Sequence, residues 1–214
     1  TRLIGPGLPA TPRLESALKK VFIVLRTKTG HDFSQYKTSS MQRRILRRMA
    51  VQQIETLDIY VDFLQQTPTE AQTLFRDLLI SVTGFFRDPE AFLALEHQVL
   101  PKLLANKPVG SVVRVWCPGC ATGEEAYSLA MLLVERMEAI GRSLTVQVFA
   151  TDIDSRAIAH ARTGLYPASI ATDVSAQRLA RFFVAGHDGA DYRIHKNLRD
   201  MLVFSEQDLI KAPP

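Results

Sequence analysis

Cysteine is nearly absent from this chain. Two occur in 214 residues, Cys117 and Cys120. No disulfide framework can staple the fold, and the pair suits a reducing compartment. No third cysteine exists to complete a zinc set, and the five histidines (His31, His97, His160, His187, His195) stand at no metal-ligand spacing. The C-P-G-C pair lies inside a glycine loop, not at the helix start of a thioredoxin-like unit, so it reads as two small buried loop cysteines. Long apolar runs are missing too. Nowhere do about 18 apolar residues follow one another, which excludes a membrane-spanning helix. Internal repeats and low-complexity segments are absent. The first residue is Thr1, not Met, and residues 1–12 carry Gly5, Pro6, Gly7, Pro9 and Pro12. That stretch reads as a linker tail rather than a signal peptide, and the chain is expected to start inside a longer polypeptide.

Acid is also unevenly supplied. Residues 1–80 hold 12 Lys/Arg against 7 Asp/Glu, and residues 81–214 hold 14 against 15, so the net charge of +4 comes wholly from the first third. Such asymmetry points to an anionic partner for that part. Otherwise the composition, 46% hydrophobic and 22% charged, is that of a globular protein with one large core or two modest ones.

Periodicity divides the chain. Leu14, Leu18, Val21, Phe22 and Leu25 recur at helical spacing, and Gly30 stops that helix. A second helix is predicted from Ser39 to Gln53. A third runs from Ile54 to Gln66, with Leu57, Tyr60, Val61 and Leu64 on one face. Thr67-Pro68-Thr69-Glu70 has the form of a capping box and opens a fourth through Leu74, Leu78 and Leu79. Residues 13–80 therefore read as a small all-helical domain. Residues 81–108 read as a glycine-containing connector followed by a linker helix started by Asp88-Pro89. Residues 109–214 read as an α/β domain. In it a helix follows Asp152 to about Arg162, where Gly164 can end it, and a short one closes at Phe183. Gly186 to Gly189 is a turn, with Tyr192–His195 and Leu202–Ser205 as strands, which suggests a small β-hairpin insertion near 186–205.

The second helix is unusual. Lys37, Arg43, Arg44, Arg47 and Arg48 occur with no acid between Phe33 and Ile54. At 100° per residue the four arginines fall within an arc of about 140°, opposite Met41, Ile45, Leu46 and Met49. A solvated face generally mixes signs. A face of one sign repels itself, which calls for an anionic partner. Nucleic acid and an acidic protein helix both fit, but no aromatics interleave the arginines for base stacking.

The most informative stretch runs from Val112 to Asp154. The β-branched run Val112–Trp116 ends in a loop with Gly119 and Gly123. A helix-forming run follows, and a second apolar run, Val146–Ala150, ends at Asp152. This strand, glycine loop, helix, strand and acid order is the first half of a nucleotide-type cofactor site in a parallel sheet. Glycine lets backbone approach a ligand, and the acid can accept from two ribose hydroxyls. The spacing is G-x-x-x-G, not G-x-G-x-x-G, and Glu124 and Glu125 follow at once. Two carboxylates suit a helix start but would repel a pyrophosphate. They suit S-adenosylmethionine, which carries an ammonium and a sulfonium and no phosphate.

At this point the residues resemble a known family. T-G-F-F-R-D-P-E-A-F (Thr83–Phe92), W-C-P-G-C-A-T-G-E-E-A-Y-S-L-A (Trp116–Ala130), V-F-A-T-D-I-D (Val148–Asp154) and A-R-T-G-L-Y (Ala161–Tyr166) look like the CheR chemotaxis receptor methyltransferases. The resemblance covers the chain from about residue 13. It implies a helical N-terminal domain, followed by a Rossmann-like methyltransferase domain that uses S-adenosylmethionine and yields S-adenosylhomocysteine. It implies a cytoplasmic monomer acting on glutamates of chemoreceptor cytoplasmic helices, with no direct nucleic-acid contact and no membrane insertion. By motif, Thr83 and Arg87 would contact the cofactor from the connector, with Arg87 the candidate catalytic residue. Glu125 would meet the methionine ammonium and Asp152 the ribose. Asp208 and Leu209 would lie over the adenine side. Lys37, Arg43, Arg44, Arg47 and Arg48 become the candidate receptor-binding set. Family members commonly have Asn where Ser81 stands, so that contact is shortened or lost. The resemblance also implies a further strand with an Arg-Asn pair and a tyrosine after Pro214. The domain is therefore expected to be incomplete at its C-terminal end, and this stretch alone to be inactive. Two rivals are a module that binds cofactor or receptor without turnover, and a nucleic-acid methyltransferase. The second lacks both a nucleophilic cysteine and an N-P-P-Y-like loop.

Overall fold

The computed structural model describes residues 12–79, 82–105, 107–108 and 110–211. Ser81 and the expected tail up to Thr11 lie outside the described residues. Pro12 already opens the first helix. The chain divides into two compact units, Thr1–Ile80 and Ser81–Pro214.

The first unit is all helical: α1 (Pro12–Thr29), α2 (Thr38–Val51), α3 (Leu57–Gln66) and α4 (Pro68–Leu78). Its core is the set that periodicity predicts. Leu18, Val21 and Leu25 of α1, Met41, Ile45 and Met49 of α2, Tyr60 and Leu64 of α3, and Leu74 and Leu78 of α4 are all nearly inaccessible to water, with α1 packed on α3 and α4, and α2 on α4. Each such side chain contributes about 1.5–3 kcal/mol on leaving water.

Two local readings are corrected here. Thr67 is the residue before α4, but its side chain caps nothing, and Glu70 does not reach back to it. Glu70 turns inward instead and is 4% exposed. It accepts from Arg48 Nε at 3.0 Å and Nη2 at 2.6 Å, from Gln52 Nε2 at 2.8 Å and from the Tyr60 hydroxyl at 2.8 Å. In a capping box the glutamate would satisfy one backbone N–H. The inward carboxylate satisfies three side chains from two other helices, one of them charged. The second correction concerns α2, whose arginines are not all uncompensated. Arg44 donates to the main-chain oxygen of Asp77, and the Asp77 carboxylate lies 3.8 Å from Arg48 Nε. The acid that α2 lacks comes from α4. Lys37, Arg43 and Arg47 remain exposed.

The second unit opens with a connector and a helix, α5 (Pro89–Ala94), which continues through one wide turn at Leu95–Val99 into α6 (Leu100–Ala105). Pro89 starts it as expected, but Asp88 makes no side-chain cap bond. Its φ is +59°, whereas a capping residue takes the extended conformation. Then follow β1 (Val112–Pro118), α7 (Glu124–Ala139), β2 (Thr145–Asp152), α8 (Ser155–Thr163), β3 (Leu165–Pro167), α9 (Ala176–Phe182), β4 (Phe183–Ala185), β5 (Asp191–Ile194), α10 (Lys196–Arg199) and β6 (Leu202–Glu206).

The main sheet is parallel, in the order β1-β2-β6. A second, antiparallel sheet has the order β3-β5-β4. The hairpin is therefore Phe183–Ile194, and the expected span of 186–205 is corrected. Leu202–Glu206 leaves it and pairs with β2, Val148 opposite Leu202 and Asp152 opposite Glu206. The inner face of the main sheet (Val113, Cys117, Val146, Val148, Ala150, Phe204) is buried in one core with Ala126, Tyr127, Ala130 and Met131 of α7. The small residues at 126 and 130 let the helix lie close to the strands. The outer face carries the row Trp116, Phe149 and Val203, in register across the three strands. Trp116 is 39% and Val203 52% exposed.

Burial pushes the phenols of Tyr60, Tyr127 and Tyr166 well above their usual value. A group whose folded pKa is raised contributes stability that is intact below its unfolded pKa, about 10 for tyrosine, and lost above it. Alkaline unfolding is expected as pH rises past about 10. Ultraviolet titration beside circular dichroism checks this. At most two of the five tyrosines should ionise before helical signal is lost. Ionisation of three or more in the folded state would contradict the burial.

Candidate functional site

The loop between β1 and α7 is shaped by three residues with positive φ. Gly119 (φ +66°) is exposed, and a Cβ there would meet nothing within 4 Å. Backbone is thus bare at the place where a ligand can approach. Ala121 holds φ +46° without being glycine, a conformation that costs on the order of 1–3 kcal/mol. Gly123 (φ +97°) admits only glycine, since a Cβ would stand 2.9 Å from the Ala161 Cβ and 3.2 Å from the Phe204 ring. That close fit brings the start of α7 down onto α8 and β6.

Asp152 fastens this loop. Its Oδ2 accepts from the N–H of Ala121 at 2.7 Å, and its Oδ1 from the N–H of Asp154 at 2.9 Å. The Cys120 N–H donates to the Thr151 carbonyl at 3.0 Å. Each carboxylate oxygen has two lone pairs, so acceptor capacity remains beyond these two bonds. Asp152 is half-buried. Its main-chain oxygen accepts from the Gln207 N–H at 2.9 Å, which brings the Asp208 turn beside the end of β2. There the Asp208 carboxylate accepts from the Ile210 N–H at 3.0 Å and lies 3.7 Å from Lys211 Nζ. Leu209 is 40% exposed.

The two glutamates at the start of α7 differ. Glu124 is tied by the Thr122 hydroxyl at 2.7 and 2.9 Å. Glu125 is exposed and, among the described residues, its side chain accepts only the weak thiol donor of Cys117, at 3.4 Å. Both cysteines are free and buried. Burial is the main cause that raises both thiols, helped by Glu125 beside Cys117 and Asp152 beside Cys120, whose thiol is pushed up to about 12. These are packed thiols, not nucleophiles.

The connector runs alongside α7. The Phe86 N–H donates to Ser128 Oγ at 3.1 Å, and Ser128 in turn donates to the Glu124 carbonyl at 2.7 Å. Thr83 is half-buried and Arg87 exposed. Arg87 Nη1 donates to the Val82 carbonyl at 2.6 Å; among the described residues it forms no ion pair with Asp88 or Glu90. No hydrogen bond joins it to Glu125 or Asp152. The structure thus gathers Gly119, Gly123, Glu125, Asp152 and Asp208 at one end of the parallel sheet, with the connector beside them.

Three contributors escape a reading of the sequence. Ala121 does not look like a left-handed residue. Ser128 looks like an ordinary helix position. Asp154 follows Asp152 by two residues, yet it caps α8 by accepting from the N–H of Arg156 at 2.9 Å and of Ala157 at 3.4 Å. A signal for the last existed, an acid immediately before a helical run.

The arrangement suits a ligand that is cationic and lacks phosphate. Bare backbone at Gly119, an exposed carboxylate at Glu125 and spare acceptor capacity at Asp152 fit S-adenosylmethionine. The loop offers no Lys or Arg to a phosphate. A separate surface hollow, lined by Val134, Met137, Arg142 and Leu144, lies toward the far end of α7 and away from this loop.

Comparison with known proteins agrees with that chemistry. Residues 81–214 match the family described as "CheR methyltransferase, SAM binding domain", and residues 16–79 match "CheR methyltransferase, all-alpha domain". An uncharacterized 104.1 kDa protein of Rhodobacter capsulatus is 41% identical over 198 residues, covering 92% of this chain and 21% of its own length. The putative methyltransferase Cher3 of Pseudomonas putida is 30% identical over 190 residues, covering 85% of this chain and 66% of its own. The chemotaxis protein methyltransferase of Salmonella typhimurium is 29% identical over 214 residues, covering 95% and 70%. The chain therefore spans about a fifth of the first relative and about two thirds of the other two.

Proposed function

The chain belongs to the CheR methyltransferase family, and on that premise we propose that it methylates glutamate side-chain carboxylates on the cytoplasmic helices of chemoreceptors. The observation that carries this reading is the loop that Asp152 holds open over bare backbone at Gly119, with the Glu125 carboxylate exposed beside it. Asp152 would accept from the ribose hydroxyls, and Glu125 would pair with the methionine ammonium. S-adenosylmethionine, when bound, supplies a methyl group activated by its sulfonium.

A glutamate carboxylate, with a reference pKa near 4.3, is already anionic near pH 7 and needs no general base. The protein's task is alignment and exclusion of water. The two raised, buried thiols are consistent with a site that uses no nucleophile of its own. Arg87 keeps Nε and Nη2 for a carboxylate while Nη1 rests on the Val82 carbonyl. Removal of Arg87 should lower turnover on the order of a hundredfold.

Receptor recognition falls to the exposed part of the basic helix. Lys37, Arg43 and Arg47 face outward, and Arg44 and Arg48 are partly committed to α4. Reversing Arg43 and Arg47 to Glu should raise the receptor KM about tenfold and leave cofactor affinity unchanged. The effect should fade with salt, because the Debye length is only about 8 Å at physiological ionic strength. Salt-insensitive, wild-type-like kinetics would remove α2 from the interface.

Tritiated methyl transfer from S-adenosylmethionine to a receptor cytoplasmic fragment, with the protein as encoded in full, tests the whole reading. The product should be a carboxyl ester that releases methanol in base. A base-stable product would indicate another acceptor. Cofactor binding with no transfer to any receptor would favour a non-catalytic module.

A further inference from the structure

We propose that Arg178, gripped by Glu135, is a positioning residue that sets Arg87 for cofactor binding by holding the connector in its strained form. The inference rests on the cofactor-site reading above. It begins with the backbone around Arg87. Phe86 has φ +49° and Asp88 φ +59°, so Arg87 stands between two non-glycine residues in the left-handed region. Strain of this kind persists only where the surroundings over-determine it.

Three contacts do so. Phe85 is buried, edge-on to Tyr166 at 4.9 Å and to Phe183 at 5.6 Å. The Phe86 N–H is held by Ser128 at 3.1 Å. The Phe86 ring is held on its face by the Arg178 guanidinium, 4.2 Å from the ring centroid, and at its edge by Phe92. The first two contacts fix the main chain before Arg87. Only the third fixes the left-handed side chain itself.

Arg178 is well suited to press on that ring. Its Nε and Nη2 donate to the two oxygens of Glu135 at 2.9 and 2.8 Å. This side-on fork locks the guanidinium plane and leaves a flat cation for the π face. Glu135 lies two turns beyond Ser128 on α7. One helix thus anchors the main chain of Phe86 through Ser128 and its ring through Glu135 and Arg178. The same helix carries Glu125 at its start. The spacing between Arg87 and Glu125 is in this way fixed by a single rigid element.

The test is a thermodynamic cycle read by titration calorimetry with S-adenosylhomocysteine, well below each variant's melting temperature. Arg178→Ala should weaken binding about tenfold. Arg178→Lys, which can keep the charge pair but lacks the planar fork, should not restore it. In an Arg87→Ala background, Arg178→Ala should cause no further loss, because its effect travels through Arg87. A role confined to stability would lower the melting temperature and leave affinity unchanged, or give an additive loss in both backgrounds. Either result overturns the proposal. If wild type does not bind the probe, the cofactor-site reading fails and this proposal with it; if Arg87→Ala binds as wild type does, Arg87 is no cofactor contact and the proposal fails alone. If those two controls behave as read and Arg178→Ala still binds normally, the positioning role alone is wrong.

Discussion

Asp152→Ala is expected to weaken S-adenosylhomocysteine binding by about a hundredfold or more. The carboxylate has two tasks at once. It holds the N–H groups of Ala121 and Asp154 at 2.7 and 2.9 Å, and on the proposed reading its spare lone pairs would accept from ribose hydroxyls. A hydrogen bond to a charged acceptor contributes about 1.5–3 kcal/mol, and about 1.4 kcal/mol is tenfold in affinity. Loss of two ribose bonds alone therefore reaches the hundredfold range. The Ala121 N–H also loses its partner, so the left-handed turn relaxes and Gly119 moves. Trp116, the only tryptophan, lies on β1 just before the loop and donates to Thr151 at 3.2 Å. Its fluorescence gives a direct readout of loop position and ligand titration together. Affinity within threefold of wild type would remove Asp152 from the site.

The second large effect belongs to the helical unit. Glu70→Ala should destabilise it by about 3–5 kcal/mol, the usual result of leaving one partner of a buried ion pair alone. The Arg48 guanidinium, the Tyr60 hydroxyl and the Gln52 amide would all lose their acceptor. Against a typical total of about 5–15 kcal/mol, that is enough to unfold much of a small unit at 37 °C. Replacing both charges by apolar residues, Glu70→Leu with Arg48→Met, should recover most of the loss, because no buried charge is then stranded. Thermal melting followed by circular dichroism separates these outcomes. A Glu70→Ala protein within about 1 kcal/mol of wild type would show that the network is energetically idle.

Glu70 also shows where a sequence stops being legible. T-P-T-E ahead of an apolar run has every local mark of a capping box, and only the arginine 22 residues earlier decides otherwise. Arg48 is misjudged for the same reason, since no window on α2 contains the acids of α4. By contrast, the strand, glycine loop, helix and acid order from Val112 to Asp152 is legible. Its signals are local: β-branched runs, glycines where φ turns positive, acids at a helix start. The four helices of the first unit are legible too, because amphipathic spacing is local. The partner of Leu202–Glu206 is not. Five residues that alternate buried and exposed look the same beside β5 or beside β2, and pairing across 54 residues leaves no trace in either segment. Arg87 lies between these cases. Its type and motif mark it, but its position depends on two strained neighbours and on Arg178, which lies 91 residues away.

On the proposed reading, the β1–α7 loop and the end of β2 form a site for a cationic, phosphate-free adenosyl ligand. Titration calorimetry of the 214-residue chain with S-adenosylhomocysteine, and separately with NAD, tests it most directly. Saturable one-to-one binding of the first, lost on Asp152→Ala, is expected, and no binding of the second. Binding of NAD, or wild-type binding of S-adenosylhomocysteine that survives Asp152→Ala, would contradict it.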